Sequence, residues 1–582
     1  MLKILTMFSG RDWLLLALAC GLIVLGVWLD LTMPEYLREI TMIATVDGYG
    51  TATDIWRNGG LMFAFAVGSM ATAVIVSWIG AYVSSSHALR MRSAMFTRVG
   101  QFSMAEMKKF GVPSLITRST NDITNVRMFT AMAIQMLIRA PITAVWAIMR
   151  IYNTSWELTL VTALGVVALV VLVTIIIIIA MPRFFKMQKQ TDDLNKVARE
   201  SLSGLRVVRA FNASEFEQAK FEKTNKGLMR TSLVVNKAMG AFWPFITFVM
   251  SMLAVGIYWV GSWVINSGRT DDTMGFFGDM MVFSQYSTMV VFSFLMLIMV
   301  VAFLPRTVVS AKRIMEVVNT EPTVVDGVGA NGRQDVAPTN GEIKFNNVSF
   351  QYPNAESKVL SDIDIEIKQG STVAFIGGTG CGKSTLVNLL PRIYDATDGE
   401  ITIGDKCVRD FSLEELNKTV GYIPQTATIF KGTIRSNVAF GHELGDEEIW
   451  KALELSQAKD FVEKLENQLD HEVAAGGTNL SGGQKQRLSI ARVVARKPEI
   501  YIFDDTFSAL DYQTDSRLRA ALKKNLKDAT VLIVAQRVGT IRDAGTIYVM
   551  ENGHIVSSGK HNDLMKKCPV YKEIATSQGV DK

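Results

Sequence analysis

Residues 371–384 read STVAFIGGTGCGKS, a short apolar run followed at once by the pattern GxxxxGK[ST]. The run predicts a buried strand and the chain after the pattern predicts a helix, the context in which this pattern binds phosphate. Glycines let the backbone curl so that several N–H groups face one anion, and the helix start adds its positive dipole end. The stretch therefore predicts an α/β nucleotide-binding domain, with Lys383 on the outer phosphates and Ser384 on magnesium (Mg2+). The predicted nucleotide-binding residues of the loop are Gly377, Gly378, Thr379, Gly380, Cys381, Gly382, Lys383, Ser384 and Thr385.

A second stretch supplies carboxylates. Residues 499–505 read EIYIFDD, which predicts a buried strand that ends in two acidic residues. In open α/β sheets ligands bind at the carboxyl ends of the strands, so these residues should reach the edge that holds the phosphate-binding loop. Asp504 is the predicted carboxylate on the magnesium side. The nucleotide-binding domain, including a helical subdomain, is predicted over residues 341–582.

The N-terminal part of the chain carries long uncharged apolar stretches. A membrane helix needs roughly 20 apolar residues to cross about 30 Å of hydrocarbon. One such stretch alone is compatible with a buried core helix, but five together, with a sixth interrupted by Arg150, indicate a membrane domain. We predict an α-helical transmembrane domain over residues 1–316 and a linker rich in Glu, Asp, Gly, Pro and Asn over 317–340. The six helices are predicted at about 12–31, 58–89, 138–156, 158–182, 238–268 and 278–305.

Loop charges predict the orientation of these helices, because Lys and Arg accumulate on the cytoplasmic side. Residues 90–127 hold seven basic and two acidic residues, and residues 183–237 hold twelve basic and six acidic ones. The loops that alternate with these two along the chain carry an excess of acidic residues. Both termini are therefore predicted to be cytoplasmic in a multi-pass protein of the plasma membrane, and Arg139 is expected near the inner interface, where its long side chain can reach water.

The composition of the chain argues against several other classes of protein. The chain has 60 Lys and Arg against 55 Asp and Glu, a balance too weak to indicate a nucleic-acid partner. Its four cysteines form no CxxC pair, so neither a zinc site nor a disulfide framework is indicated. No acidic residue is evident deep in an apolar run, which argues against cation transport.

The motif LSGGQ at residues 480–484, followed by KQRLSIAR, resembles the signature of the ATP-binding-cassette family, and the whole chain resembles its exporter branch. The resemblance implies that Tyr352 stacks on adenine and that Gln425 senses magnesium and the nucleophilic water. It implies that Asp511 lies in a loop that crosses to a second subunit. The signature would complete the ATP site of that subunit through Leu480, Ser481, Gly482, Gly483 and Gln484. Residues 111–122 and 202–211 resemble the loop segments that contact the nucleotide domains.

Two positions depart from the family pattern. The family places Glu after the magnesium-side Asp and a His further on, whereas this chain has Asp505 and Gln536. Aspartate is one methylene shorter, which withdraws its carboxylate from the attacking water by about 1 Å, and such a shift can lower the rate about 100-fold. Glutamine does not titrate, although its amide can still donate a hydrogen bond to phosphate. We therefore expect slow hydrolysis at this chain's own site.

This combination resembles one half of a heterodimeric bacterial multidrug exporter. The resemblance implies a second half-transporter with an intact Glu and His, and a hydrophobic or amphipathic cargo that is moved outward. Two alternatives stay open from the sequence. The first is a lipid flippase or peptide exporter, and the second, of another class, is a regulatory ATP-binding subunit or an ATP-gated conduit.

Overall fold

The apolar stretches fold as helices, because a helix satisfies every backbone N–H and C=O within its own segment. The structure, a computed structural model, describes residues 6–46, 49–152, 155–269, 272–326, 341–353 and 355–580. Within these residues, six helices are long and apolar enough to cross a membrane. They are α1 (Gly10–Thr45), α2 (Ala52–Gly100), α4 (Val112–Tyr152), α5 (Trp156–Ser203), α7 (Ser214–Asn266) and α8 (Thr273–Asn319). Two short helices, α3 (Met104–Phe110) and α6 (Leu205–Ala210), follow α2 and α5.

Most of these helices extend past the predicted apolar stretches, because polar residues with good helix propensity continue them. The stretch predicted over 138–156 is the end of α4, which stops at Tyr152, while Trp156 already begins α5. The stretch predicted over 238–268 ends at Asn266, and Gly268 beyond it has φ +68°, a conformation that terminates helices. Helix α8 continues to Asn319, past the predicted start of the linker, and residues 327–340 of that linker lie outside the described residues.

The core of the membrane helices is built largely by α8. Its side chains Phe283, Val290 and Val291 are at most 1% exposed and pack with apolar residues of α1, α4, α5 and α7. Ion pairs add to this packing: Arg90 of α2 contacts Asp12 of α1, and further along α1 two acidic side chains contact arginines of α4. These pairs are Asp30 with Arg139 and Glu35 with Arg150.

Arg139 has an acidic partner within the membrane helices. It pairs with Asp30, which also accepts a hydrogen bond from Ser69. At about 1.5 Å per residue, Asp30 lies roughly 27 Å along α1 from the Asp12–Arg90 pair. The expectation that Arg139 lies near the inner interface stays a prediction, and the structure adds that its charge is paired with an acidic residue of α1.

The chain divides into two compact units. One unit comprises Met1–Arg98 and Ser114–Asn319, and the other comprises Val99–Pro113 and Thr320–Lys582. The segment Val99–Pro113, predicted within the transmembrane domain, thus belongs to the nucleotide-binding unit. The reason is local packing, since Phe110 is buried and Ala105 packs against the core of that unit.

The second unit is an α/β domain, so the predicted fold class is confirmed. A six-stranded sheet has the order β12-β11-β3-β10-β9-β6, parallel apart from β12, and a four-stranded antiparallel sheet has the order β2-β1-β4-β5. The strands are β1 (Ile343–Phe350), β2 (Leu360–Ile367), β3 (Thr372–Gly377), β4 (Asp398–Ile403), β5 (Lys406–Cys407), β6 (Val420–Ile423), β7 (Gly432–Thr433), β8 (Glu472–Val473), β9 (Ile500–Asp504), β10 (Thr530–Val534), β11 (Thr546–Glu551) and β12 (His554–Gly559).

Ten helices of the described residues complete the unit, and the apolar faces of α11, α12 and α14 form a helical subdomain with its own core. The helices are α9 (Lys383–Leu389), α10 (Leu413–Thr419), α11 (Ile434–Ala439), α12 (Asp446–Leu455), α13 (Lys459–Val462), α14 (Gly482–Val494), α15 (Tyr512–Asn525), α16 (Val538–Ile541), α17 (His561–Lys567) and α18 (Pro569–Ser577).

Candidate functional site

Four parallel strands bring distant parts of the sequence to one edge of the six-stranded sheet. Strands β3, β10, β9 and β6 are neighbours, with Phe375 opposite Val534 and Val534 opposite Asp504. Each strand is followed by predicted site residues: the phosphate-binding loop after β3, Gln536 after β10, Asp505 after β9 and Gln425 after β6. The sheet order therefore assembles the candidate site.

The phosphate-binding loop is shaped around Lys383. The Lys383 ammonium is buried and donates to the carbonyls of Gly377 and Gly378, both at 2.8 Å. Gly382 has φ +100°, and a Cβ there would lie 2.7 Å from Leu360 Cδ2, so only glycine fits without strain. The loop thus holds a buried cation at the start of helix α9, which is the arrangement an anionic phosphate needs.

Asp504 and Ser384 form the candidate magnesium site. The Ser384 hydroxyl donates to Asp504 Oδ1 at 2.7 Å, and the Tyr422 hydroxyl donates to Asp504 Oδ2 at 3.0 Å. Burial raises the pKa of Asp504, and the two hydroxyl donors and nearby Lys383 oppose this shift. Carboxylate and hydroxyl oxygens are hard ligands of the kind that Mg2+ prefers, so the donor set fits this ion.

Tyr422 was not among the residues predicted from the sequence. It lies in strand β6, which neighbours β9, and its own pKa is raised by burial and by the charge of Asp504. A tyrosine two positions before Pro424 gives no chemical signal in the sequence, because its role depends on the pairing of β6 with β9.

Asp505 accepts two amide hydrogen bonds on the same oxygen. Its Oδ2 lies 3.1 Å from Gln425 Nε2 and 3.0 Å from Gln536 Nε2. Burial raises the pKa of Asp505, the Gln425 amide lowers it and the charge of Asp504 raises it. The structure therefore brings the two departures from the family pattern, Asp505 and Gln536, into direct contact.

Contacts with three neighbouring side chains fix the Tyr352 ring beside the phosphate-binding loop. Its hydroxyl is 2.9 Å from Thr385 Oγ1, and the rings of Phe350 and Tyr394 meet it nearly at right angles, with centroids 4.9 and 5.3 Å away. These contacts fix the orientation of the ring beside the phosphate-binding loop. Its assignment as the adenine platform stays a prediction.

The signature lies at the start of helix α14. Ser481 is the N-cap: its hydroxyl accepts from the Gln484 N–H at 3.3 Å, and Gln484 Oε1 accepts from the Ser481 N–H at 2.8 Å. Leu480 is buried, and a Cβ at Gly483 would approach Leu510, next to Asp511, which caps helix α15. Among the hydrogen bonds of the described residues, none joins Ser481 or Gln484 to the phosphate-binding loop.

The two segments predicted to contact the nucleotide domains, residues 111–122 and 202–211, differ in how they pack. In residues 111–122, Asp122 is buried and accepts from the Ser310 hydroxyl at 2.7 Å, so the end of this segment packs on α8 in the first unit. The segment that packs in the nucleotide-binding unit instead comes just before, at Val99–Pro113. In residues 202–211, Leu202 is 74% and Phe211 80% exposed, and α6 between them buries no side chain.

Both parts of the chain match known protein families. Residues 16–294 match the family of the ABC transporter transmembrane region, and residues 360–508 match the ABC transporter family of ATP-binding domains.

Relatives of known sequence match along nearly the whole chain. An uncharacterized ABC transporter ATP-binding protein of Mycobacterium tuberculosis is 35% identical over 94% of this chain and 93% of its own length. A second, YfiB of Bacillus subtilis, is 32% identical over 90% of each chain. An ATP-dependent lipid A-core flippase of Vibrio vulnificus is 30% identical over 96% of this chain and 94% of its own length.

A solved structure has the same fold. The structure of a bacterial Atm1-family ABC exporter with ATP bound superimposes with a TM-score of 0.79 over 97% of this chain and 98% of that one. The two sequences are 23% identical, so the likeness is one of fold.

Proposed function

The chain belongs to the ABC transporter family and is a half-transporter of the exporter type, and from that premise we propose that it pairs with a different half-transporter. In this pair, the chain's own site binds ATP and hydrolyses it slowly. Its signature completes the competent site of the partner. The pair moves hydrophobic or amphipathic compounds out of the cell.

The observation that carries this proposal is the double hydrogen bond to Asp505 Oδ2. A general base needs a lone pair directed at the proton of the attacking water. Here both Gln425 and Gln536 donate to Asp505 Oδ2, which reduces the lone pairs left for a water, and the shorter side chain of Asp505 holds the carboxylate back. The carboxylate is therefore positioned as an acceptor for neutral amides rather than as a base.

The remaining residues are suited to hold a nucleotide. Lys383 and the loop N–H groups bind phosphate oxygens, Tyr352 takes the base, and Ser384, Asp504 and the Gln425 amide oxygen are the ligands for Mg2+. When bound, the ion neutralises charge on the outer phosphates. The residues of this chain orient the nucleotide, while the group that should activate water is already engaged.

The intact signature supports pairing. Ser481 and the two glycines present a helix N-terminus whose cap is formed, and a helix N-terminus attracts anions. The exposed apolar residues Leu202, Val207 and Phe211 form a second surface suited to a partner subunit. Both features are complete in structure and suited to act on another subunit.

Cargo and location follow from the membrane helices. The six apolar helices of the described residues make this a multi-pass membrane protein, and we place it in a bacterial plasma membrane with both termini cytoplasmic. The Met- and Phe-rich helices favour apolar cargo of varied shape. Lipid flipping is a second candidate, because the relative from Vibrio vulnificus is a lipid A-core flippase.

The first test is to identify the partner. The tagged chain is purified gently from its native membrane, and proteins recovered in equal amount are identified by mass spectrometry. A half-transporter with Glu and His at the positions of Asp505 and Gln536 is the expected result. Recovery of this chain alone, or of a partner with Asp and Gln there, would contradict the proposal.

A transport assay then separates the candidate functions. The pair in inside-out vesicles should accumulate a hydrophobic dye only when ATP is present. Movement of a labelled lipid between leaflets without dye accumulation would favour a flippase. A steady ion current would favour a conduit and overturn the exporter proposal.

A further inference from the structure

The short helix α3 is a fixed part of the nucleotide-binding unit. Its N-cap Ser103 forms a capping box with Glu106, and the Ser103 hydroxyl lies 2.9 Å from Thr323 Oγ1. Phe110 at its other end is buried and stacks on Phe102, with ring centroids 5.7 Å apart. Both ends of the helix are therefore anchored, which fixes where its side chains point.

One of these side chains covers the proposed adenine platform. Lys108 Nζ lies 4.5 Å from the centroid of the Tyr352 ring and 5.6 Å from that of Tyr394. An ammonium within about 6 Å of an aromatic face is attracted by the ring. Within the described part of the chain Lys108 forms no ion pair, so this ring contact is the main interaction of its charge.

The ammonium and a base cannot share that face. Stacked rings approach to about 3.5–4 Å, whereas the ammonium already lies 4.5 Å above the centre of the Tyr352 ring. The ring is held in place, because its hydroxyl contacts Thr385 and the rings of Phe350 and Tyr394 pack against it nearly at right angles. Lys108 is exposed, so the ring face that it covers is reached from solvent.

We infer that Lys108 occupies the adenine position before ATP binds and must be displaced by the base, so that Lys108 competes with adenine for the Tyr352 ring. The inference rests on the proposed role of Tyr352 and does not depend on slow hydrolysis or on the identity of a partner. It predicts that Lys108 weakens binding of adenine nucleotides but not of a triphosphate without a base.

The test compares Lys108→Ala with Lys109→Ala in the full-length purified chain. Lys109 is the matched control, because it is equally exposed on the same helix but lies over Phe110 rather than Tyr352. Binding is measured with a fluorescent ATP derivative that keeps its adenine, and with inorganic triphosphate as competitor. We expect K108A to bind the ATP derivative about two- to fivefold more tightly, with triphosphate affinity unchanged and K109A like the unmodified chain.

An unchanged ATP affinity in K108A would overturn the inference. A weaker affinity would also overturn it and would make Lys108 a ligand of the nucleotide. The variant Tyr352→Leu checks the platform itself: it should weaken ATP binding and remove the effect of K108A in the double variant. If Y352L binds ATP normally, the platform assignment fails, and the proposed slow hydrolysis is left to its own tests.

Discussion

At the scale of single residues, the central contact is the convergence of two amides on Asp505 Oδ2. An amide donor stabilises the charged carboxylate, but burial and the neighbouring Asp504 raise the Asp505 pKa more strongly than Gln425 lowers it. A low pKa is therefore not the reason why Asp505 would be a poor general base. Its deficit is geometric, since Oδ2 already accepts two amides and the side chain is short.

Restoring both groups should restore hydrolysis. In the assembled pair, Asp505→Glu combined with Gln536→His in this chain should raise ATP turnover at this chain's own site at least about tenfold, because the carboxylate regains its reach and a titrating group replaces the amide. Steady-state phosphate release measures this. Adding Lys383→Ala to the double variant should remove the gain; a gain that survives would show that turnover occurs elsewhere.

Tyr422 offers a separate test of the magnesium site. Tyr422→Phe removes the hydroxyl that donates to Asp504 Oδ2 while keeping the buried ring. A hydrogen bond to a charged group contributes about 1.5–3 kcal/mol, so affinity for ATP with Mg2+ should fall about tenfold or more. Affinity for ATP measured with a chelator present should stay the same; an equal loss under both conditions would point to a folding defect instead.

The sequence predicted these residues one motif at a time. The glycine pattern predicted the loop and the place of Lys383, because that pattern encodes local backbone geometry. The contact of Gln425 and Gln536 with one oxygen could not be predicted, because it depends on β6, β9 and β10 being adjacent. Lys108 was missed for the same reason, since its target Tyr352 is distant in the chain.

At the scale of elements, a variant at the start of helix α14 can distinguish a loss of stability from a loss of function. Ser481→Ala removes the N-cap, which costs about 0.5–2 kcal/mol of stability. The matched control is Ser412→Ala, which removes the cap of α10, where the Ser412 hydroxyl accepts from the Glu415 N–H at 3.2 Å. We expect similar falls in melting temperature for both variants. Only S481A should abolish ATP turnover by the assembled pair, and equal turnover in the two would refute the role of the signature.

The pairing of α1 with α4 predicts a stability effect in the membrane unit. Asp30→Asn leaves Arg139 without its acidic partner among apolar helices, so the melting temperature in detergent should fall by several degrees. Exchanging the charges, with Asp30→Arg and Arg139→Asp, should recover part of the loss. An unchanged melting temperature for Asp30→Asn would show that the Asp30–Arg139 pair does not stabilise the membrane unit.

At the scale of the whole molecule, the long helices were predictable but their grouping was not. Apolar length indicated six membrane helices, and the structure has six of suitable length within its described residues. The division of the chain was harder, because Val99–Pro113 joins the nucleotide-binding unit through a few packed side chains such as Phe110. Composition alone does not reveal such a short segment, since it carries charges like the rest of its loop.

The last prediction concerns the asymmetry of the complete transporter. During turnover, ATP should stay on this chain while the partner releases product, because the amide-bound Asp505 leaves the nucleotide intact in a site that still grips it through Lys383 and Asp504. A photoreactive ATP analogue supplied before excess unlabelled ATP measures this, with the label then assigned to each subunit. We expect label to be retained on this chain and lost from the partner. In the Asp505→Glu, Gln536→His variant, both subunits should release label alike. Equal release from both subunits of the unmodified pair would mean that the two sites cycle alike, and the amide contacts on Asp505 would then not limit hydrolysis.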